Sequence, residues 1–156
     1  MKRMFLVILI ILANISFAQD FPKSPNSRFT PGSVCDQPTQ YRYPEHIAYC
    51  ERNVDTLTKD EVFNTYRTLG YKLPPNQRSS YKIDHYIPLC AGGSNDANNL
   101  WPQHVTIYKL TDPIEPLGCQ KMSEGKLSQK EFIDLIKQAK NDLSQVPVVL
   151  ETLRNL

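Results

Sequence analysis

Apolar residues recur at helical spacing in the outer parts of this chain and fall into short extended steps between them. From Thr58 onward, Val62, Tyr66 and Leu69 share one helical face, Thr58 and Glu61 make a capping-box pair, and Gly70 stands where a helix would stop. Nearer the C-terminus, Ser128 and Glu131 make a second capping box. It opens a helix with Phe132, Leu135 or Ile136, Ala139 and Leu143 along one face, and Pro147 is expected to end it. Asp112, Pro113 and Glu115 have the order of an N-cap, a first-turn proline and a first-turn acid, so a fresh helix is expected there, closed at Gly125. The middle of the chain reads differently. Tyr81-Lys82-Ile83 and Asn99-Leu100-Trp101-Pro102 are short β-type steps, separated by the turn cluster Gly92-Gly93-Ser94-Asn95-Asp96. Gly and Asn at that density mark a tight reversal, so the two steps are expected to return antiparallel. A short or kinked helix should follow directly after Pro102.

The amino-terminal part lacks such periodicity. Residues 1–18 have a basic start (Lys2, Arg3), an apolar run from Met4 to Ala13 and a Ser16-Phe17-Ala18 ending, the order of a secretory signal peptide. The apolar run is too short to span a bilayer comfortably. The mature protein is therefore expected to be periplasmic or secreted, without stable membrane association. Residues 19–34, rich in Pro, Ser and Asn, read as a flexible segment. Cys35 to Arg52, with Tyr41, Tyr43, His46 and Tyr49 among prolines, reads as an irregular cap in which His46 has a packing or surface role. One domain is expected over 35–146, with 147–156 as a tail.

Charge and cysteine content narrow the picture. Loss of the leader would remove Lys2 and Arg3 from 18 basic residues and leave 16 against 16 acidic ones. A neutral chain argues against a tight, slowly released nucleic-acid binder, though a turnover enzyme is less affected. The four cysteines, Cys35, Cys50, Cys90 and Cys119, would lie in an oxidising compartment, and an even count favours disulfides. Pairing Cys35 with Cys50 closes the amino-terminal segment, and pairing Cys90 with Cys119 ties the central loop to a later helix. A structural zinc site would call for a Cys-x-x-Cys pair, and none is present.

The central stretch from Tyr81 to His104 also carries the chemistry. Asp84-His85 at a strand end, Asn99 and His104 would be brought near one another by the reversal. A neutral imidazole takes protons near pH 7, and a carboxylate with a second imidazole is a fair ligand pair for a divalent ion. The order Asp84-His85-Tyr86-Ile87-Pro88-Leu89, then Gly92-Gly93, then Asn99-Leu100, resembles the HNH endonucleases (ββα-metal, His-Me finger). The continuation Trp101-Pro102-Gln103 is similar to a small secreted subgroup. That resemblance implies an α+β fold with a ββα-metal core and flanking helices. It implies His85 as general base, Asp84 as a metal ligand, and Asn99 as the brace of the loop. His104 is assigned as the second ligand, against an ordinary capping or surface histidine. The implied cofactor is a divalent metal, Mg2+ first and Mn2+ or Zn2+ after it. The implied partner is nucleic acid, DNA ahead of RNA. Arg78 is a candidate phosphate contact, against a solvated loop arginine. The competing functions are an RNase using the same site and a non-catalytic secreted binding or effector module.

Overall fold

A computed structural model describes residues 20–156, so the expected signal peptide over 1–18 lies outside the described residues. The described residues form a small α+β domain with two two-stranded antiparallel sheets, five α-helices and two disulfides. Strands β1 (Gln40–Arg42) and β2 (Ile47–Tyr49) pair within the segment expected to be irregular. Their turn is made by Tyr43 and His46, both at positive φ. Helix α1 (Thr56–Thr68) starts earlier than the Thr58–Glu61 pair suggests. Asp55 is its N-cap, with a carboxylate that accepts from the Thr58 amide at 2.7 Å. An aspartate there both caps the helix and favours its dipole, so it sets the start.

The second sheet pairs β3 (Tyr81–His85) with β4 (Leu100–His104). Its register sets Tyr81 opposite His104, Asp84 opposite Trp101 and His85 opposite Leu100. The strand therefore runs on past Pro102 to His104, where a helix was expected to follow Pro102 directly. In a two-stranded ladder every strand is an edge, so a proline without an N–H is tolerated with its nitrogen facing outward. Helix α2 (Val105–Thr111) is short, as the sequence suggests, but begins only at Val105. Asp112 does not cap a new helix. It continues the right-handed backbone at the end of α2 (φ −54°, ψ −36°), and Pro113 follows in the same region before α3 (Ile114–Ser123). The break at Pro113 is the missing N–H of a proline between two helical runs.

Helix α4 (Gln129–Asn141) has the expected capping box, Ser128 accepting from the Glu131 amide and Glu131 from the Ser128 amide. The chain after it departs from the expectation. Asp142 turns extended, a single 3-10 turn follows, and Pro147 lies in the first turn of a further helix, α5 (Val146–Arg154). Proline is well accommodated in a first turn, where its missing donor would be unpaired anyway. The stretch 147–156 is thus largely helix: Val149 and Leu153 are fully buried.

Two apolar clusters result. One gathers Ile114, Met122, Phe132, Ile136, Val149 and Leu153 from α3, α4 and α5, together with Ile87. The other gathers Val62, Phe63 and Tyr66 of α1 with Tyr81, Tyr86, Leu100, Trp101 and Ile107. Tyr86 and Ile87, the residues after β3, therefore point into different cores. Residues 20–34, expected to be flexible, are held against the second cluster. The Thr30 hydroxyl is buried between the Tyr66 hydroxyl (2.8 Å) and the Leu100 carbonyl (3.0 Å), and Phe21 stacks on His104. Among the described residues no helix is long and apolar enough to cross a membrane.

Candidate active site

Strand β3 delivers Asp84 and His85 at its end, and the loop back to β4 is shaped by Asn99. Its side chain is fully buried. The carboxamide oxygen accepts from the Ile87 amide (2.9 Å), and the amide nitrogen donates to the Ile87 (3.0 Å) and Ser94 (2.9 Å) carbonyls. One side chain thus replaces the backbone ladder across the loop, satisfying groups that would be costly to bury unpaired. Gly93 passes so close that a Cβ there would overlap the Ile87 carbonyl.

His85 is 3% exposed. Its Nε2 lies 3.1 Å from Asn95 Oδ1, and Asn95 Nδ2 donates to the Glu51 carbonyl at 2.7 Å. The second bond fixes the carboxamide orientation, so Oδ1 faces the ring and receives the Nε2 proton. In the neutral imidazole the lone pair is then on Nδ1. Burial pushes the His85 pKa below its ordinary value. The Asn95 contact and the Asp84 carboxylate oppose that shift, while Arg52 and Lys140 add to it. The ring is neutral at neutral pH.

Asp84 points to the other face of the strand, as neighbours on a strand do. Lys82 Nζ and Lys140 Nζ each lie 3.5 Å from its Oδ2. Burial raises the Asp84 pKa, but the two ammonium groups outweigh it and hold the carboxyl below its usual range. At that distance neither contact is a hydrogen bond, and Oδ2 is buried with an unmet acceptor. Trp101 Nε1 and Gln103 Oε1, on the same face of the ladder, are likewise buried without partners. Lys140 is fully buried. It donates to the His85 carbonyl (2.6 Å) and to Glu115 Oε1 (2.9 Å). Lys82 is also paired with Asp112. Three carboxylates and two ammonium groups thus form one alternating network behind the strand end.

His104 is not part of this group. It stands three register steps from Asp84, about 10 Å along the strand at 3.3 Å per residue, and on the opposite face. Its Nδ1 accepts from the Thr106 amide (3.3 Å) and meets the Thr106 hydroxyl (2.8 Å), which caps α2. The ring is stacked on Phe21, with centroids 4.3 Å apart, and meets the edge of Tyr81. The expected ligand pair Asp84 and His104 therefore does not meet, and it does not fit one divalent ion. The error lies in strand parity: β4 runs on to His104, three residues beyond the Asp84 partner Trp101, and an odd step turns residue 104 to the other face. Among the described residues no group of three His, Cys, Asp or Glu side chains could hold a metal ion. Arg78 also stands apart, at the Tyr81 end of β3. It donates to the Tyr81 carbonyl (3.0 Å) and lies over the Phe63 ring.

An open cleft of about 410 Å3 lies on the far side of Asn95 from His85, lined by Gln37, Thr39, Cys50, Glu51, Arg52, Asn53 and Asn95. Asn95 belongs both to this cleft and to the His85 contact. Sequence reading passed over Asn95 and Lys140, yet each left a sign. Asn95 sits in the Gly92–Asp96 turn cluster, on the loop that follows the Asp84-His85 step. Lys140 falls four residues after Ile136 on the apolar face of α4, where a charge needs buried partners.

Comparison with family models, curated proteins and solved structures finds no match to this chain. Its function therefore rests on the site.

Proposed function

We propose that this chain is a secreted endonuclease that hydrolyses phosphodiester bonds, DNA ahead of RNA, with His85 as general base. The observation that carries the reading is the state of that imidazole. It is neutral, its Nε2 proton is held by Asn95, and its Nδ1 lone pair is left to accept a proton from water. Asn99 supports the reading by holding the loop on which Asn95 and His85 face each other. The order β3, β4, α2 is that of a ββα unit, which the HNH resemblance leads one to expect. The two disulfides agree with an oxidising compartment.

The resemblance also implies a divalent cation, which would neutralise charge on the phosphoryl oxygens. Asp84 and His104 do not make a donor set for it, so no step here runs through a metal. The chain's own residues do the following. His85 Nδ1 takes the proton of the attacking water, Asn95 keeps the tautomer, and Lys140 fixes the strand end through the His85 carbonyl.

A second reading has its own support. The low exposure of His85 and the two ammonium groups at Asp84 suit a scaffold that binds without turnover. Leader-free, oxidised protein assayed on plasmid DNA and on RNA, with and without EDTA, separates these. Nuclease action predicts nicking that falls at least a hundredfold in His85→Ala. Equal activity of wild type and variant would refute the proposed base, and no cleavage of either polymer favours the binding module. The EDTA arm reads metal dependence directly.

A further inference from the structure

We propose that the cleft beside Asn95 is a phosphate-backbone subsite for nucleic acid, with Arg52 as its cation. This rests on the nuclease reading of His85, because Asn95 links the cleft to that residue. The lining is polar: Gln37, Thr39, Asn53 and Asn95 offer amide and hydroxyl groups, and Arg52 offers a guanidinium. Arg52 is exposed and, among the described residues, takes part in no ion pair, so its charge is available to a ligand. A guanidinium matches two phosphate oxygens at once.

No aromatic side chain lines the cleft. Bases are held without sequence preference mainly by stacking on aromatic rings, so this lining suits the sugar-phosphate strand instead. Glu51 stands on the same lining and offsets part of the Arg52 charge. The site is thus fitted to one phosphate held weakly, in keeping with 16 acidic residues against 18 basic ones over the whole chain. A bound phosphodiester would lie next to Asn95, and hence across that side chain from the imidazole that Asn95 orients.

The test uses binding, which does not depend on cleavage. A fluorescein-labelled, mixed-sequence single-stranded oligonucleotide is titrated into His85→Ala protein in EDTA, with fluorescence anisotropy read over a range of salt. Adding Arg52→Ala is expected to weaken binding about five- to tenfold at low salt. It should also reduce the slope of log K against log salt by about 0.7, the value for one phosphate contact on a single strand. Adding Glu51→Gln is expected to tighten binding about two- to threefold. Arg154→Ala, on α5, removes the same charge elsewhere and serves as the control. The proposal is overturned if Arg52→Ala leaves affinity and slope at the control's values, or if the oligonucleotide does not bind at all. A wild-type protein that cleaves neither DNA nor RNA would instead overturn the nuclease reading, with the binding result standing by itself.

Discussion

At the scale of single residues, His85 makes pH the most direct probe. Burial lowers its folded-state pKa below the unfolded value of about 6.5. Between those two values the unfolded chain binds the extra proton and the folded one does not, so stability rises with pH across that window. The contribution is complete above about pH 6.5 and is lost as pH falls toward the folded value. Asp84, whose pKa is also lowered, acts in a separate window below about pH 3.9. Urea unfolding at pH 7 and pH 5 should therefore show a loss of stability in wild type that His85→Gln largely abolishes. An unchanged pH slope in the variant would mean that His85 is not the buried neutral group described. The pairing of Asp84 with His85 at one strand end was legible because both lie in one short run. The reversal was legible from Gly92, Gly93 and Asn95, while Asn99 as its brace was implied only by the resemblance. The place of His104 was not legible, since it depends on how far β4 runs, and a one-residue change of parity moves a side chain to the other face.

At the scale of elements, the helices show which local signals bind and which are overridden. The Ser128–Glu131 box sets the start of α4, while Asp55 displaces the similar Thr58–Glu61 pair as the start of α1. Pro147 was read as a stop and is a start, because the chain had already left α4 at Asp142 (φ −137°). What α4 contributes to the site is Lys140, and this helix-to-strand tie carries a definite energetic expectation. Lys140 neutralises Glu115 and Asp84 from a fully buried position. Its pKa is pushed down by burial and up by those carboxylates, and the carboxylates prevail. Lys140→Met would leave Glu115 without its counter-charge, Asp84 with Lys82 alone, and the His85 carbonyl without its donor. Removing one partner of a buried pair costs about 3–5 kcal/mol, against about 1 kcal/mol for Ser128→Ala at the helix cap. Urea midpoints of the two variants should fall in that order. Equal losses would show that the Lys140 network is solvated rather than buried.

At the scale of the whole molecule, the candidate site lies on the seam between two cores. Tyr86 belongs to one and Ile87 to the other, so the strand end is gripped from both sides. Each disulfide reinforces one approach to that seam. Cys90–Cys119 joins the turn after β3 to α3, across 29 residues, and Cys35–Cys50 joins the amino-terminal segment to the end of β2 beside the Arg52 cleft, across 15. Loop entropy grows only with the logarithm of length, so the two bridges should be worth nearly the same, about 3.6 and 3 kcal/mol. Their structural reach should differ instead. Double alanine replacement of Cys35 and Cys50 should speed amide hydrogen exchange in β1 and β2 while α3, α4 and α5 stay protected. Replacement of Cys90 and Cys119 should open Leu89–Ala91 and α3 and leave β1 and β2 as they were. Exchange that rises evenly through the chain in either variant would show that the domain opens only as one unit, and that the seam does not divide it.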